Sequence, residues 1–219
     1  MNHHRFDLIV FDWDGTLFDS TALIVRAIQE SARDVGVGVP TREQASYVIG
    51  LGLKDALQHA VPDLPVQRYP ELAARYRHHY LQAEHELSLF DGVEALLQEL
   101  KQQHYLLAVA TGKSRVGLNR ALDNAALRGV FDVTRTADET QSKPHPQMLD
   151  EIVAYVGVDK PRTLMVGDTT HDMQLARNAG THAAAVAYGA HDPAPLLALD
   201  PLVCAHSVAE LRDWLRQHG

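Results

Sequence analysis

Three features are scarce in this sequence, and each scarcity excludes a class of protein. Cysteine occurs once, as Cys204, which excludes an internal disulfide framework and a zinc site built on cysteines. No apolar run is long enough to cross a bilayer, and the N-terminal residues do not form a signal peptide, so we expect a cytoplasmic protein. Lysine and arginine number 20 against 28 aspartates and glutamates, which gives a net charge of −8. This balance argues against nucleic acid or an anionic membrane as the main partner, since both attract a basic face.

What the chain does contain fits a globular protein. Its 219 residues suffice for one large domain, or for a core domain with a smaller insertion. Hydrophobic residues make up 46% and charged residues 22%, which is close to the average of folded proteins and argues against wholesale disorder.

The N-terminal part of the chain predicts one buried strand followed by helices. Phe6–Phe11 is a short apolar run of the kind found in parallel strands. Ser20 opens a helical pattern, and beyond it helix formers dominate and strand signals are missing. We therefore expect an inserted all-helical cap domain at residues 18–88, and a core domain made of residues 1–17 and 89–219.

The rest of the chain alternates between predicted helices and strands. Four more strands are expected, at Tyr105–Ala110, Val130–Thr134, Thr163–Val166 and Ala183–Val186. The prolines at Pro193–Pro195 indicate a loop. Strands and helices that alternate at this spacing predict an α/β fold, a doubly wound parallel sheet of Rossmann-like type with helices on both faces.

Polar side chains lie at the ends of three predicted strands, and one more lies in a loop. Ligands of a doubly wound sheet bind beyond the carboxyl ends of its strands. The residues delivered to that edge are Asp12, Asp14, Thr111, Gly112, Lys143, Asp168 and Asp172. Widely separated segments are thus expected to bring acids, one hydroxyl group and one lysine to the same rim.

Such a set fits phosphoryl chemistry assisted by a divalent cation. Neighbouring carboxylates repel one another unless a cation joins them, and hard oxygen ligands favour Mg²⁺, which completes its shell with water and phosphate. The Thr111 hydroxyl can donate to phosphate oxygens, and Lys143 supplies a compact positive charge. An aspartate can attack phosphorus and form an aspartyl-phosphate. Asp12 and Asp14 are two residues apart, so both point to one side of an extended segment.

Four motifs follow one another along the chain: Asp12–Thr16 (Asp-Trp-Asp-Gly-Thr), Thr111-Gly112, Lys143–Pro146 (Lys-Pro-His-Pro) and Gly167–Asp172 (Gly-Asp-Thr-Thr-His-Asp). In order and spacing they resemble the haloacid dehalogenase-like superfamily, in the branch with a helical cap inserted after the first motif. The resemblance covers nearly the whole chain. It implies a Mg²⁺-dependent phosphatase that acts on a small phosphorylated metabolite.

The same resemblance implies catalytic roles. Asp12 is expected to be the nucleophile, and Asp14 the general acid that protonates the leaving oxygen and then the base that activates water. Thr111 and the amide of Gly112 are expected to bind the transferring phosphoryl group. Lys143 is expected to orient Asp12 and to screen charge.

Four acids are implied as metal ligands. Mg²⁺ would be held by a carboxylate oxygen of Asp12, the main-chain carbonyl of Asp14, and Asp168, with Asp172 nearby or acting through water. Asp172 also fits a second role, since an acid near a helix N-terminus is favoured by the helix dipole. Both readings of Asp172 stay open at this point.

Within the superfamily, the nearest resemblance is to phosphoglycolate phosphatase and its relatives. The segment Ile49–Lys54 (Ile-Gly-Leu-Gly-Leu-Lys) resembles their substrate-specificity loop. Gly50 and Gly52 would let the backbone approach a ligand closely, and Lys54 would meet a substrate carboxylate or second phosphate. Turn glycines and a solvated helical lysine are the alternative interpretation of this segment.

Two other functions use the same residues. A phosphomutase would keep water away from the aspartyl-phosphate and return the phosphoryl group to a sugar, which depends on contacts of the cap. A non-enzymatic switch would hold a phospho-aspartate as a signal, but the inserted cap and the acid/base Asp14 argue against it. The sequence leaves the substrate undecided, and it fits a monomer or a homodimer.

Overall fold

The computed structural model describes residues 5–219, which form one six-stranded sheet flanked by helices. The strands are β1 (Leu8–Phe11), β2 (Leu106–Thr111), β3 (Val133–Thr136), β4 (Thr163–Gly167), β5 (His182–Val186) and β6 (Cys204–Ala205). Every neighbouring pair is parallel, in the order β3-β2-β1-β4-β5-β6. The predicted doubly wound parallel sheet is confirmed.

The α-helices fall into two groups along the chain. Between β1 and β2 lie α1 (Thr21–Val35), α2 (Arg42–Tyr47), α3 (Leu53–Ala60), α4 (Tyr69–Ala83) and α5 (Val93–Gln102). The others are α6 (Arg115–Asn124), α7 (Gln147–Val156), α8 (Thr170–Ala179), α9 (Pro193–Leu197) and α10 (Val208–His218). No helix among residues 5–219 has both the length and the apolarity needed to cross a membrane.

The central strand β1 is buried on both of its faces. Leu8 and Val10 pack in the hydrophobic cluster that includes residues of α7 and α8. Ile9 and Phe11 pack in a second cluster, with residues of α5 and α10. Side chains alternate between the two faces of a strand, so an uninterrupted apolar run is what a strand covered on both sides requires.

The first four helices have a hydrophobic core of their own. Their buried apolar residues, from Leu23 to Tyr80, form one cluster. Two antiparallel connections join this unit to the sheet domain: the Asp19 N–H donates to the Ser88 carbonyl at 2.9 Å, and the Phe90 N–H donates to the Leu17 carbonyl at 3.0 Å. These connections lie close to the predicted limits of the cap, residues 18 and 88, which stay a prediction.

The structure corrects the prediction in three places. The strand expected at Val130–Thr134 begins later, at Val133, because the chain turns before it joins β2. The loop expected at Pro193–Pro195 is the start of α9, where proline is favoured because the first helical turn needs no N–H donor from it. The edge strand β6 was not expected, since only two of its residues pair with the sheet.

Candidate active site

The topology places Asp12 at the middle of the sheet's carboxyl edge. β1 lies between β2 and β4, and the ends of these three strands carry Asp12, Thr111 and Asp168. All three side chains are fully buried. The sequence predicts that these residues converge, and the structure brings them to one edge, because parallel neighbours end on the same side.

Three carboxylates and one lysine meet at this edge. One oxygen each from Asp12, Asp168 and Asp172 lies within 4.8 Å of the others. Nζ of Lys143, which comes from the segment between β3 and α7, lies 2.7 Å from Oδ1 of Asp12 and 2.7 Å from Oδ1 of Asp172. All of these side chains are buried. One ammonium therefore faces three carboxylates, which leaves negative charge in excess where water cannot solvate it.

This excess of negative charge is visible in the pKa values. Burial raises the pKa of Asp12 well above its ordinary value, and the charges of Asp172 and Asp168 raise it further. The positive charge of Lys143 lowers this pKa but does not outweigh the other effects. Burial, and after it the charge of Asp172, raises the pKa of Asp168 to about 7. Burial lowers the pKa of Lys143, but the carboxylates of Asp12 and Asp172 outweigh burial and hold that pKa above its ordinary value. The lysine therefore stays charged, and a further cation would relieve the repulsion.

Asp12 presents an oxygen that fits such a cation. Its Oδ2 is buried and accepts no hydrogen bond from any of residues 5–219. A buried anionic oxygen without a donor is costly, and a metal ion at the cluster would satisfy it. The surrounding donors are carboxylate oxygens, which suit a hard ion such as Mg²⁺. The residues present therefore fit a divalent cation.

Asp168 is held rigidly by its neighbours. The Thr16 hydroxyl donates to its Oδ1 at 2.8 Å, and the Ala190 N–H donates to its Oδ2 at 2.7 Å. A Cβ at Gly15 would lie 2.1 Å from Oδ2, and a Cβ at Gly189 would lie 2.2 Å from the same oxygen. Both positions need glycine because the backbone approaches the carboxylate so closely. Gly189 lies outside the four motifs and is not predicted from the sequence.

Asp172 serves the helix α8 as well as the cluster. Thr169 is the N-cap of α8 and its side chain accepts a hydrogen bond from the Asp172 N–H. In return, the N–H and the hydroxyl of Thr169 donate to Oδ2 of Asp172 at 3.1 and 2.6 Å. Oδ1 of Asp172 accepts from Lys143 at 2.7 Å. The capping role considered from the sequence is therefore present, alongside the contact with Lys143.

Asp14 makes its contacts at the boundary between the sheet domain and the cap. The Ser20 hydroxyl donates to its Oδ1 at 2.6 Å, and Nζ of Lys113 lies 3.0 Å from the same oxygen. Ser20 stands at the N-cap of α1 but makes no capping hydrogen bond, so its hydroxyl serves Asp14 instead. Lys113 also donates to the Tyr80 hydroxyl of α4 at 3.0 Å. The sequence predicts neither Lys113 nor Tyr80, since their pairing depends on how the cap packs.

The loop between α2 and α3 covers the site. A Cβ at Gly112 would lie 2.3 Å from the Leu51 carbonyl oxygen and 2.6 Å from the Gly50 carbonyl oxygen. Gly50 has a φ of +89° and stands so close to the carboxylates that its Cβ would lie 4.0 Å from Oδ2 of Asp12. The structure thus brings Gly50 and Gly112 to the predicted site. Gly112 needs the small size of glycine, and Gly50 needs its freedom to adopt a positive φ.

Of the remaining predicted binding residues, Gly52 and Thr111 lie near the site and Lys54 does not. The Gly52 N–H donates to the Ser142 hydroxyl at 2.8 Å, which joins the cap loop to the segment that carries Lys143. The Thr111 hydroxyl accepts from the Lys113 N–H at 3.2 Å. Lys54 is exposed near the start of α3 and makes no hydrogen bond or ion pair with residues 5–219. The structure therefore brings Gly52 and Thr111 to the boundary of the site and leaves Lys54 at the surface.

Two histidines fix the same cap loop from the other side. The Tyr47 carbonyl, at the end of α2, lies 2.7 Å from Nε2 of His171 and 3.1 Å from Nε2 of His191. Nδ1 of His191 accepts from the Thr170 N–H, so Nε2 is the nitrogen that carries the proton. Burial lowers the pKa of both histidines, which keeps them neutral. We call Tyr47, His171 and His191 the cap clasp.

Comparison with known proteins identifies the class. The model of the family "Haloacid dehalogenase-like hydrolase" matches residues 9–186. A "Probable phosphatase IndB" of Dickeya dadantii is 36% identical over 210 residues, 93% of this chain and 91% of that protein. A phosphoglycolate phosphatase of Aliivibrio fischeri is 34% identical, over 86% of this chain and 87% of that protein. A pyrophosphatase, PpaX, of Halalkalibacterium halodurans is 30% identical over 95% of this chain and 96% of that protein.

The fold comparison agrees. A crystal structure described as a predicted phosphoglycolate phosphatase from Haemophilus somnus superposes with a TM-score of 0.86 at 24% identity, covering 97% of this chain and 99% of that one. The chain therefore belongs to the haloacid dehalogenase-like hydrolase family. Within that family it is a phosphatase.

Proposed function

We propose that this phosphatase hydrolyses a phosphomonoester of a small metabolite through an aspartyl-phosphate on Asp12, with Mg²⁺ as its cofactor. The observation that carries the proposal is the environment of Asp12. Its carboxylate is fully buried, pairs with Lys143 through Oδ1, and has an unpartnered Oδ2 among the acids of the cluster. A metal site needs such an unpartnered oxygen among a group of acids, and a nucleophile needs a carboxylate in a fixed orientation, which Lys143 supplies through Oδ1.

The metal would be held by Asp12, Asp168 and the main-chain carbonyl of Asp14, with Asp172 adjacent. Asp168 is oriented by Thr16 and Ala190 before any ion binds, so that its carboxylate needs little rearrangement. A bound Mg²⁺ neutralises charge on the phosphoryl oxygens and on the buried acids.

In the first step, a carboxylate oxygen of Asp12 attacks phosphorus and the ester P–O bond breaks. The electron pair of that bond goes to the leaving oxygen, which receives a proton from the Asp14 carboxyl. Lys143, 2.7 Å from Asp12, fixes the nucleophile in place. The Thr111 hydroxyl and the Gly112 N–H are the donors proposed for the phosphoryl oxygens, since they lie at the end of the adjacent strand.

In the second step, water attacks the phosphorus of the aspartyl-phosphate while Asp14 accepts its proton. The bond between phosphorus and the Asp12 oxygen breaks, the carboxylate is restored, and inorganic phosphate leaves. The covalent intermediate replaces one difficult displacement with two easier ones. Asp14 returns to the protonated state that the next turnover requires.

The cap favours a small substrate. The carbonyl oxygens of Gly50 and Leu51 press on Gly112, so the closed loop leaves little room above the phosphoryl site. A relative named as a phosphoglycolate phosphatase supports a small organic phosphate, and one named as a pyrophosphatase supports another compact phosphate compound. Phosphoglycolate is the substrate that we propose first, on the resemblance of the Ile49–Lys54 loop.

The test is phosphate release from a panel of phosphoglycolate, sugar phosphates, nucleoside monophosphates and pyrophosphate, each with Mg²⁺ and with EDTA. We expect release that requires Mg²⁺ and favours phosphoglycolate. Asp12→Asn keeps the shape of the side chain and should lower turnover by roughly 10⁴-fold or more, because it removes the nucleophile. No release from any compound by the folded wild-type protein, or equal release with EDTA, would contradict the proposal.

A further inference from the structure

Three side chains form a chain of contacts from the cap to Asp14. Tyr80 belongs to α4 of the cap, and its hydroxyl accepts a hydrogen bond from Lys113 at 3.0 Å. Lys113 follows β2 of the sheet domain, and its Nζ lies 3.0 Å from Oδ1 of Asp14. The ammonium also stands over the Tyr80 ring, 4.9 Å from its centroid. These contacts cross the boundary between the cap and the sheet domain, and they end at Asp14, the proposed general acid and base.

The two oxygens of Asp14 are used differently. Oδ1 accepts from Ser20 at 2.6 Å and faces Lys113 at 3.0 Å. Among residues 5–219, no donor contacts Oδ2. The carboxyl group is therefore anchored through one oxygen, and the other oxygen is free to exchange a proton with the substrate or with water.

Lys113 depends on the cap for its position. The Lys113 and Asp14 side chains are each only 10% exposed. A nearly buried ammonium needs its hydrogen-bond partners, since it has lost most of its hydration. Tyr80 supplies both an acceptor oxygen and an aromatic face, which attracts a cation. If α4 moves away, Lys113 loses these contacts and one anchor of Asp14 becomes mobile.

We propose that Tyr80 and Lys113 are positioning residues that orient the Asp14 carboxyl group, so that proton transfer is efficient only when the cap is closed. The inference rests on the proposed function, in which Asp14 gives a proton to the leaving oxygen as the ester bond breaks. Neither residue gives or takes a proton itself. The closed cap thus encloses the substrate and also orients the acid. When the cap is open and water fills the site, Asp14 is not held in the orientation that proton transfer needs.

The test compares two esters that differ in their need for a proton. Phosphoglycolate, or the alkyl ester of the panel that the wild type cleaves fastest, has a poor leaving group, whereas 4-nitrophenyl phosphate has a good one that departs without protonation. Because kcat/KM reports the steps up to ester cleavage, only the alkyl ester should respond to a misplaced Asp14. Lys113→Met should lower kcat/KM for the alkyl ester roughly 10–100-fold and for the aryl ester by less than about threefold.

Tyr80→Phe removes one hydroxyl and should give the same pattern with a smaller loss, roughly 3–10-fold for the alkyl ester. The matched control is Tyr69→Phe, since Tyr69 also belongs to α4 and its hydroxyl donates to the Val61 carbonyl at 2.8 Å, without contact to Lys113. We expect Tyr69→Phe to keep the wild-type ratio of kcat/KM between the two esters. Circular dichroism and Tm confirm that each variant is folded.

The outcomes separate the two proposals. Asp14→Asn serves as the reference, because it should discriminate most strongly between the esters. The positioning role is refuted if Asp14→Asn discriminates between the esters and Lys113→Met lowers kcat/KM equally for both. It is also refuted if Lys113→Met raises only KM while Tyr80→Phe matches Tyr69→Phe, since Lys113 then binds substrate. If the wild type cleaves neither ester, the proposed function itself has failed and the inference falls with it.

Discussion

At the scale of single residues, the site depends on side chains that are held in place and on glycines that make room for them. Asp168 receives one hydrogen bond on each oxygen and is packed between the backbones of Gly15 and Gly189. A carboxylate confined in this way cannot turn to avoid an added methyl group. Its orientation is therefore sensitive to substitutions that change neither charge nor polarity.

The first prediction concerns Gly189→Ala. The new Cβ would lie 2.2 Å from Oδ2 of Asp168, so the carboxylate must shift, and we expect it to coordinate the metal less tightly. We expect the Tm to fall by roughly 2–10 °C, as overpacking costs about 1–3 kcal/mol, and the Mg²⁺ concentration for half-maximal activity to rise. The control is Gly38→Ala, since a Cβ at Gly38 meets nothing within 4 Å. Equal Tm and equal Mg²⁺ dependence in the two variants would refute this explanation of Gly189.

Most of the buried site residues could be predicted, as could the pairing of Asp12 with Lys143, but the contacts that reach Asp14 from the cap could not. Asp12, Thr111 and Asp168 lie at the ends of short apolar runs, which favour buried strands, so their convergence follows from the alternation of strands and helices. Lys113 and Tyr80 are far apart in sequence and meet only because α4 packs over the end of β2. No local pattern contains that information, because it depends on how the cap packs on the sheet domain.

At the scale of secondary-structure elements, the cap clasp joins α2 to the sheet domain. His171 in α8 and His191 after β5 both donate to the Tyr47 carbonyl, and the Tyr47 ring stacks on His191 at 5.4 Å. The loop that covers Asp12 begins directly after Tyr47. The clasp therefore favours the closed position of that loop.

The second prediction is that His191→Ala raises KM roughly 5–10-fold and leaves kcat within about threefold. The hydrogen bonds of His191 with the Tyr47 carbonyl and with the Thr170 N–H are both lost, so the closed state is less populated. The apparent affinity falls with it, while the closed complex reacts as before. Steady-state kinetics with the best substrate measure both constants, and the exposed His206→Ala is the control. A drop in kcat with an unchanged KM would show that His191 acts on the chemistry and not on cap closure.

A strand could be predicted from the sequence where its burial leaves a clear pattern of apolar residues. β1 is covered on both faces, so its sequence is a continuous apolar run. β6 pairs through two residues at the edge of the sheet, which is too short to leave a pattern. β3 begins at Val133 because the Asp132 N–H pairs with the Leu107 carbonyl at 2.8 Å, a register set by its neighbour and not by its own residues.

At the scale of the whole molecule, the metal site couples ligand binding to stability. Three buried carboxylates face one ammonium, so the folded protein without a cation keeps unrelieved repulsion. A cation that binds the folded state and not the unfolded chain stabilises the fold by mass action.

The third prediction is that Mg²⁺ raises the Tm. At a concentration about 100 times Kd the stabilisation is about 2.7 kcal/mol, which corresponds to roughly 5–10 °C for a protein of this size. Thermal unfolding with Mg²⁺ and with EDTA, at matched ionic strength, measures the shift. Asp168→Asn should lose most of it, because a ligand carboxylate is replaced by a neutral amide. The same shift in Asp168→Asn as in the wild type would place the bound ion elsewhere.

The most direct test of the whole account is to look for phosphate bound to Asp12. In Asp14→Asn the aspartyl-phosphate should form and hydrolyse slowly, because the base that activates water is gone. After mixing with Mg²⁺ and the best substrate, an acid quench and peptide mass spectrometry should show one added phosphoryl group on the peptide that contains Asp12. Asp12→Asn should show none. Turnover by the wild type without any phosphorylated Asp12 in either protein, or near-normal activity of Asp12→Asn, would contradict the assignment of Asp12 as the nucleophile.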